Sequence, residues 1–191
     1  MTSSLQDLQT DLATQSRRGI TFIAAAALYW FGVGCAGLTL APSTAFIVSL
    51  WGTGILFPTS IALARLFRID IFYKNALTPL GIWANVFQLF FFPILFVAAK
   101  ASVYYPPVFM GVLAGAHFVF YHWLYQSRTY LLLAVAITLS SYILGFLYPT
   151  NTFVVVGFSN AGWLLLGCLL LHHENHSTHP SPATHIDTLA R

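Results

Sequence analysis

Charge is what this sequence has least of. Asp, Glu, Lys and Arg together make up 7% of the 191 residues, while 58% are hydrophobic. A soluble domain carries roughly 25% charged residues, and a water-facing surface cannot be built from so few. Acids are the scarcest: Asp7, Asp11, Asp70, Glu174 and Asp187, all outside the long apolar runs. Coupling to protons or sodium through an intramembrane carboxylate is thereby excluded, and the absence of a mid-run lysine excludes a retinal Schiff base. The two cysteines, Cys35 and Cys168, each stand in an apolar run, which rules out a disulfide framework. There is no glycine loop closing on Lys-Ser/Thr and no HExxH motif. The intramembrane histidines, His117 and His122, lie on one helix and cannot clamp a haem between two. No catalytic residue, cofactor or resident metal is expected, and a net charge of +3 gives no reason to invoke nucleic acid.

Apolar runs are present in quantity. A bilayer core takes about 20 helical residues to cross, and six stretches are long enough: 19–40, 44–67, 78–100, 108–125, 129–148 and 152–173. They are continuous rather than alternating, so helices fit and barrel strands do not. Pro42, Thr78-Pro79, Pro106-Pro107 and Pro149 punctuate them. The expected fold is an all-α, polytopic transmembrane bundle of about six spans. The first run, with Gly32-Val33-Gly34-Cys35, reads as a retained span rather than a removed signal. Arg17, Arg18, Arg65, Arg68, Lys74, Arg128 and Arg191 fall at one end of this map and Lys100 at the other. By the positive-inside rule both termini are expected to be cytoplasmic. Residues 1–18 form a polar segment with Leu5, Leu8 and Leu12 on one helical face, suited to the cytoplasmic membrane surface, to an extension of the first span or to a solvated tail. Residues 174–191 read as a disordered, histidine-rich cytoplasmic tail. If the last helix ran on, His172, His176 and His179 would share a face with metal-ligand spacing, though a pH-sensitive tail accounts for them as well.

A handful of polar residues lies within the spans. Asn85 and Gln88 share a face of the third, which Pro93 interrupts, as Pro58 interrupts the second. His117 and Tyr121 are neighbours one turn apart in the fourth. Asn160 follows Ser159 in the sixth. In hydrocarbon each must find a partner, and one shared cluster of Asn85, Gln88, His117, Tyr121 and Asn160 is the economical arrangement. Neutral imidazole carries one donor and one acceptor. Tyr121 can reach only one of them, so Asn85 or Gln88 is expected to bond the other. Such a cluster serves either as interhelical glue, in which case His117→Ala would cost about 1–2 kcal/mol, or as a ligand site between kinked helices. Gly111 and Gly115 form a small-xxx-small face that would admit a second copy of the chain.

Phe57-Pro58, then Asn85-Val86-Phe87-Gln88 with Pro93, then Gly115-Ala116-His117-Phe118 and Trp123-Leu124-Tyr125 resemble a family of small bacterial integral membrane proteins of unknown function, over residues 15–150. The resemblance implies a multi-pass protein of the cell inner membrane, in contact with its lipids, and supplies no activity. The reading on the residues is a small-molecule permease or membrane sensor with a mid-membrane polar cluster. The competing reading is a structural or accessory subunit with no ligand.

Overall fold

The structure is a computed structural model that describes residues 4–177. Helix α1 (Leu5–Gln15) precedes six helices long and apolar enough to cross a membrane: α2 (Arg17–Thr39), α3 (Pro42–Leu66), α4 (Thr78–Ala101), α5 (Pro106–Tyr125), α6 (Arg128–Leu147) and α7 (Thr152–Ser177). Prolines open α3, α4 and α5 at the first helical turn, where the missing N–H costs nothing. Connections α2–α3, α5–α6 and α6–α7 are a few residues long, so consecutive helices run antiparallel. The described residues contain no strand. The molecule is a multi-pass helical membrane protein. Large side chains such as Trp51, Phe90, Val97, Phe146 and Leu169 point outward because lipid is their solvent.

α2, α5, α6 and α7 form the packed centre. Close approach is made possible by glycine. An added Cβ on Gly157 of α7 would sit 2.5 Å from the Gly34 backbone nitrogen of α2. An added Cβ on Gly111 would lie 2.1 Å from Ser141 Oγ, and one on Gly115 2.3 Å from Thr138 Oγ1. Gly111 and Gly115 are therefore consumed against α6 of the same chain, and the face expected to receive a second copy is already covered.

α3 and α4 bury the least of themselves, and each is broken. A 3-10 turn at Thr53–Ile55 interrupts α3, and one at Gln88–Phe91 interrupts α4. Each turn includes the residue four before a proline, Gly54 for Pro58 and Leu89 for Pro93. The proline ring removes the donor and crowds that carbonyl, so the helix tightens locally and resumes.

The end of the bundle carrying Arg17, Arg18, Arg65, Arg68, Lys74 and Arg128, here the basic end, is covered by α1. Ser4 caps this helix, with the Asp7 N–H donating to Ser4 Oγ at 3.2 Å and the Ser4 N–H to Asp7 Oδ2 at 3.0 Å. Its inner face, Gln9, Leu12 and Ala13, is buried against protein, where the sequence suggested a membrane surface, an extension of the first span or a solvated tail. Gln9 donates to the Trp123 carbonyl at 2.8 Å and accepts from Gln126 at 2.8 Å. On its other side Asn75 donates to the Leu8 carbonyl at 3.0 Å and to Asp11 at 2.9 Å.

α7 also runs on beyond residue 173 to Ser177. Glu174, expected in a disordered tail, caps α6: it accepts from Thr129 N–H at 3.2 Å, Thr129 Oγ1 at 2.7 Å and Ser127 Oγ at 2.6 Å. Asn175 donates to the Arg17 carbonyl at 3.0 Å and accepts from Arg18 at 2.6 Å. The remainder of the histidine-rich tail, His179 included, lies outside the described residues. His172 and His176 do share a face, with ring centroids 4.4 Å apart, and no group of three metal-ligating side chains occurs among the described residues.

Candidate functional site

α2, α3, α4 and α5 enclose a cavity of about 180 Å³. Its walls are aromatic: Phe22 and Trp30 from α2, Phe57 from α3, Phe91 and Phe92 from α4, Phe118, Tyr121 and Tyr125 from α5. Leu12 of α1 and Tyr130 of α6 reach it at the basic end. No Asp, Glu, Lys or Arg lines it. For scale, a dry apolar cavity of about 150 Å³ is known to take benzene.

Four of the five polar residues singled out from sequence line this space: Asn85, Gln88, His117 and Tyr121. Three of them are arranged in a way the sequence did not indicate. The Tyr121 hydroxyl donates to the Gly81 carbonyl of α4 at 2.9 Å and accepts from Asn85 Nδ2 at 2.6 Å. Asn85 Nδ2 also donates to Gly81 at 3.2 Å. Asn85 and Tyr121 therefore satisfy one another and tie α4 to α5. His117 is left out. Its ring stands edge-on to Tyr121, with centroids 4.8 Å apart and planes at 82°, and its Nε2 is buried with no hydrogen-bond partner. The expected bond from His117 to Asn85 or Gln88 is replaced by the Asn85–Tyr121 bond, because the amide donor reaches a hydroxyl already facing it. Gln88 lies in the 3-10 turn of α4, a half-buried polar group on the cavity wall.

Asn160 is elsewhere. It is fully buried on α7, where Ser141 of α6 donates to its Oδ1 at 3.2 Å, next to Gly111. It does not line the cavity, so the single expected cluster divides into two: an amide–hydroxyl contact joining α6 to α7, and the cavity group on α4 and α5.

Sequence reasoning missed the tyrosine wall. Tyr121 and Tyr125 stack at 5.8 Å with planes 15° apart, and Tyr130 lies 5.7 Å from the first and 5.6 Å from the second. Tyr130 donates to the Arg18 carbonyl at 2.6 Å. The one-turn spacing of Tyr121 and Tyr125 was a signal for the first pair. Nothing local marks Tyr130, which arrives from the next helix.

Among families of known sequence, the profile of a family of unknown function, DUF7010, matches residues 5–174. No curated protein and no solved structure matches the chain.

Proposed function

The chain belongs to the family of unknown function DUF7010, and we propose that it is a membrane permease or sensor for a small uncharged molecule held in the cavity beside His117. One observation carries the reading: a buried imidazole nitrogen with no partner in an uncharged, largely apolar pocket. A histidine serving as helix glue would be bonded, since burying an unpaired polar group costs about 1–3 kcal/mol. A site that recognises a hydrogen-bonding ligand has a reason to keep it open. The lack of lining charge argues for a neutral ligand, because a bare ion would meet no counter-charge here. The two broken helices, α3 and α4, both border the cavity and supply segments able to rearrange around a ligand. On the same reading the basic end faces the cytoplasm of the cell inner membrane, with Lys100 at the other side; active cytoplasmic reporters fused at both termini test that orientation.

The experiment is a panel of uncharged small molecules screened by thermal unfolding of the detergent-solubilised protein. A ligand at about 100 times its Kd stabilises by about 2.7 kcal/mol, well within detection. At least one uncharged compound should stabilise the natural chain and lose its effect in His117→Leu. If every stabilising compound acts equally on His117→Leu, the proposal fails. The accessory-subunit reading draws on a separate observation, the Ser141–Asn160 contact between α6 and α7, where Asn160 Nδ2 is also buried without a partner although Asn160 does not line the cavity. A panel with no stabilising compound would favour it.

A further inference from the structure

The cavity has a side door. Two residues line it and are also exposed to the surroundings on facing helices: Phe57 of α3, 39% exposed, and Ile82 of α4, 38% exposed. Phe72, in the segment joining those helices, lines it as well and is 52% exposed. Ile82 stands four residues, about 6 Å, inside the start of α4, and Phe57 nine residues, about 14 Å, before the end of α3, so the opening extends from the α3–α4 connection into the apolar spans. Among the described residues, two other approaches are covered. Leu12 is buried at the basic end, where α1 is fastened on both sides by Gln9, Asn75 and Asp11. Towards the other end, Phe46 of α3 meets Phe96 of α4 edge to face at 5.8 Å, above buried Leu95.

We infer that the site takes a lipid-dissolved molecule with an uncharged six-membered ring bearing a hydroxyl or carbonyl, which slides in between α3 and α4 and seats its polar substituent against His117. The inference rests on the proposed ligand-binding reading and names its ligand class. The cavity is large enough for one ring. The aromatic walls favour a flat ring through offset and edge contacts. A hydroxyl or carbonyl supplies the missing partner of the imidazole, which donates or accepts according to its tautomer. An apolar tail on such a ring would trail out past Phe57 and Ile82 into lipid. The same ring chemistry can also come from a free, tailless compound, and the two sources are separable.

The test uses the full chain in lipid nanodiscs, with thermal unfolding read against ligand mole fraction. The probes are 4-decylphenol, decylbenzene, 1-decanol and phenol. We expect 4-decylphenol to stabilise saturably and to bind about tenfold more tightly than decylbenzene, the scale of one hydrogen bond to a buried group. His117→Leu should erase that preference. Ile82→Trp, which narrows the door, should weaken 4-decylphenol about tenfold more than it weakens phenol, with an unchanged helical circular dichroism spectrum showing that the variant is folded. If phenol binds and the decyl tail adds nothing, or if Ile82→Trp leaves 4-decylphenol unaffected, lateral access is overturned. If decylbenzene and decanol match 4-decylphenol and ignore His117→Leu, the ring-and-hydroxyl class is overturned. Should none of the four bind while other uncharged compounds do so through His117, this inference falls and the proposed function stands; should nothing bind at all, both fall.

Discussion

At the residue scale, His117 and Tyr121 differ in what their removal should do, although they are neighbours. The His117 Nε2 is buried without a partner, so the ring costs stability where it stands. His117→Leu is expected to leave the ligand-free protein as stable or to raise its unfolding free energy by up to about 1–2 kcal/mol, measured by denaturation in detergent. A loss of that size would mean a bonded, structural histidine. Tyr121→Phe removes the hydroxyl that joins Asn85 and the Gly81 carbonyl. It should destabilise by about 1–2 kcal/mol and speed hydrogen exchange across Thr78–Phe87. The polar residues that stand in these spans were legible as types, since an amide or imidazole in hydrocarbon needs an explanation. Their pairing was not. Which amide meets which hydroxyl depends on how each helix is rotated, and a serine such as Ser141 gives no warning because it can satisfy itself on its own helix carbonyls.

Two elements owe their ends to residues that looked like tail. Glu174 puts a carboxylate at the N-terminus of α6, accepting from the Thr129 N–H and two hydroxyls, and a negative charge there is stabilised by the helix dipole. Glu174→Gln is expected to lower stability by about 1–2 kcal/mol, read as a lower unfolding midpoint. Its neighbourhood also restrains a left-handed turn: Arg17, Arg18 and Gly19 have φ of 47°, 52° and 66°. Left-handed backbone costs an L-residue about 1–2 kcal/mol. Bonds from Asn175 to the Arg17 carbonyl and from Tyr130 to the Arg18 carbonyl hold it. The capping of α1 has a pH signature. The Ser4 hydroxyl, and then its N–H, hold the Asp7 carboxyl below the ordinary 3.8. A depressed folded pKa contributes stability above the unfolded value and loses it as pH falls through the folded one. A nitroxide on Gln6→Cys, with Cys35 and Cys168 replaced by Ser, should be ordered at neutral pH and gain mobility only below about pH 4. Loosening at higher pH would assign the transition to another group.

For the whole molecule, the number of spans followed from run length and proline punctuation, because both reflect the bilayer directly. The division into a tight α2, α5, α6 and α7 core with looser α3 and α4 did not, since all six runs are similarly apolar and hydropathy alone does not tell lipid from protein neighbours. Glycines report the difference once neighbours are known. Gly115→Ala, whose Cβ would meet Thr138 Oγ1 at 2.3 Å and its backbone nitrogen at 2.8 Å, should cost about 1–3 kcal/mol, whereas Gly162→Ala, with nothing within 4 Å, should be neutral. Equal effects would mean that α5 and α6 are not in close contact. The claim on which the account turns is that a ligand meets His117. Histidines labelled with 15N, observed by NMR in detergent, test it most directly, with the His117 signal assigned by its loss in His117→Leu. Of the seven histidines, His117 is the one whose imidazole signal is predicted to shift with a compound whose stabilisation is lost in His117→Leu, while the others stay in place. An unmoved His117 signal with such a compound would contradict the claim.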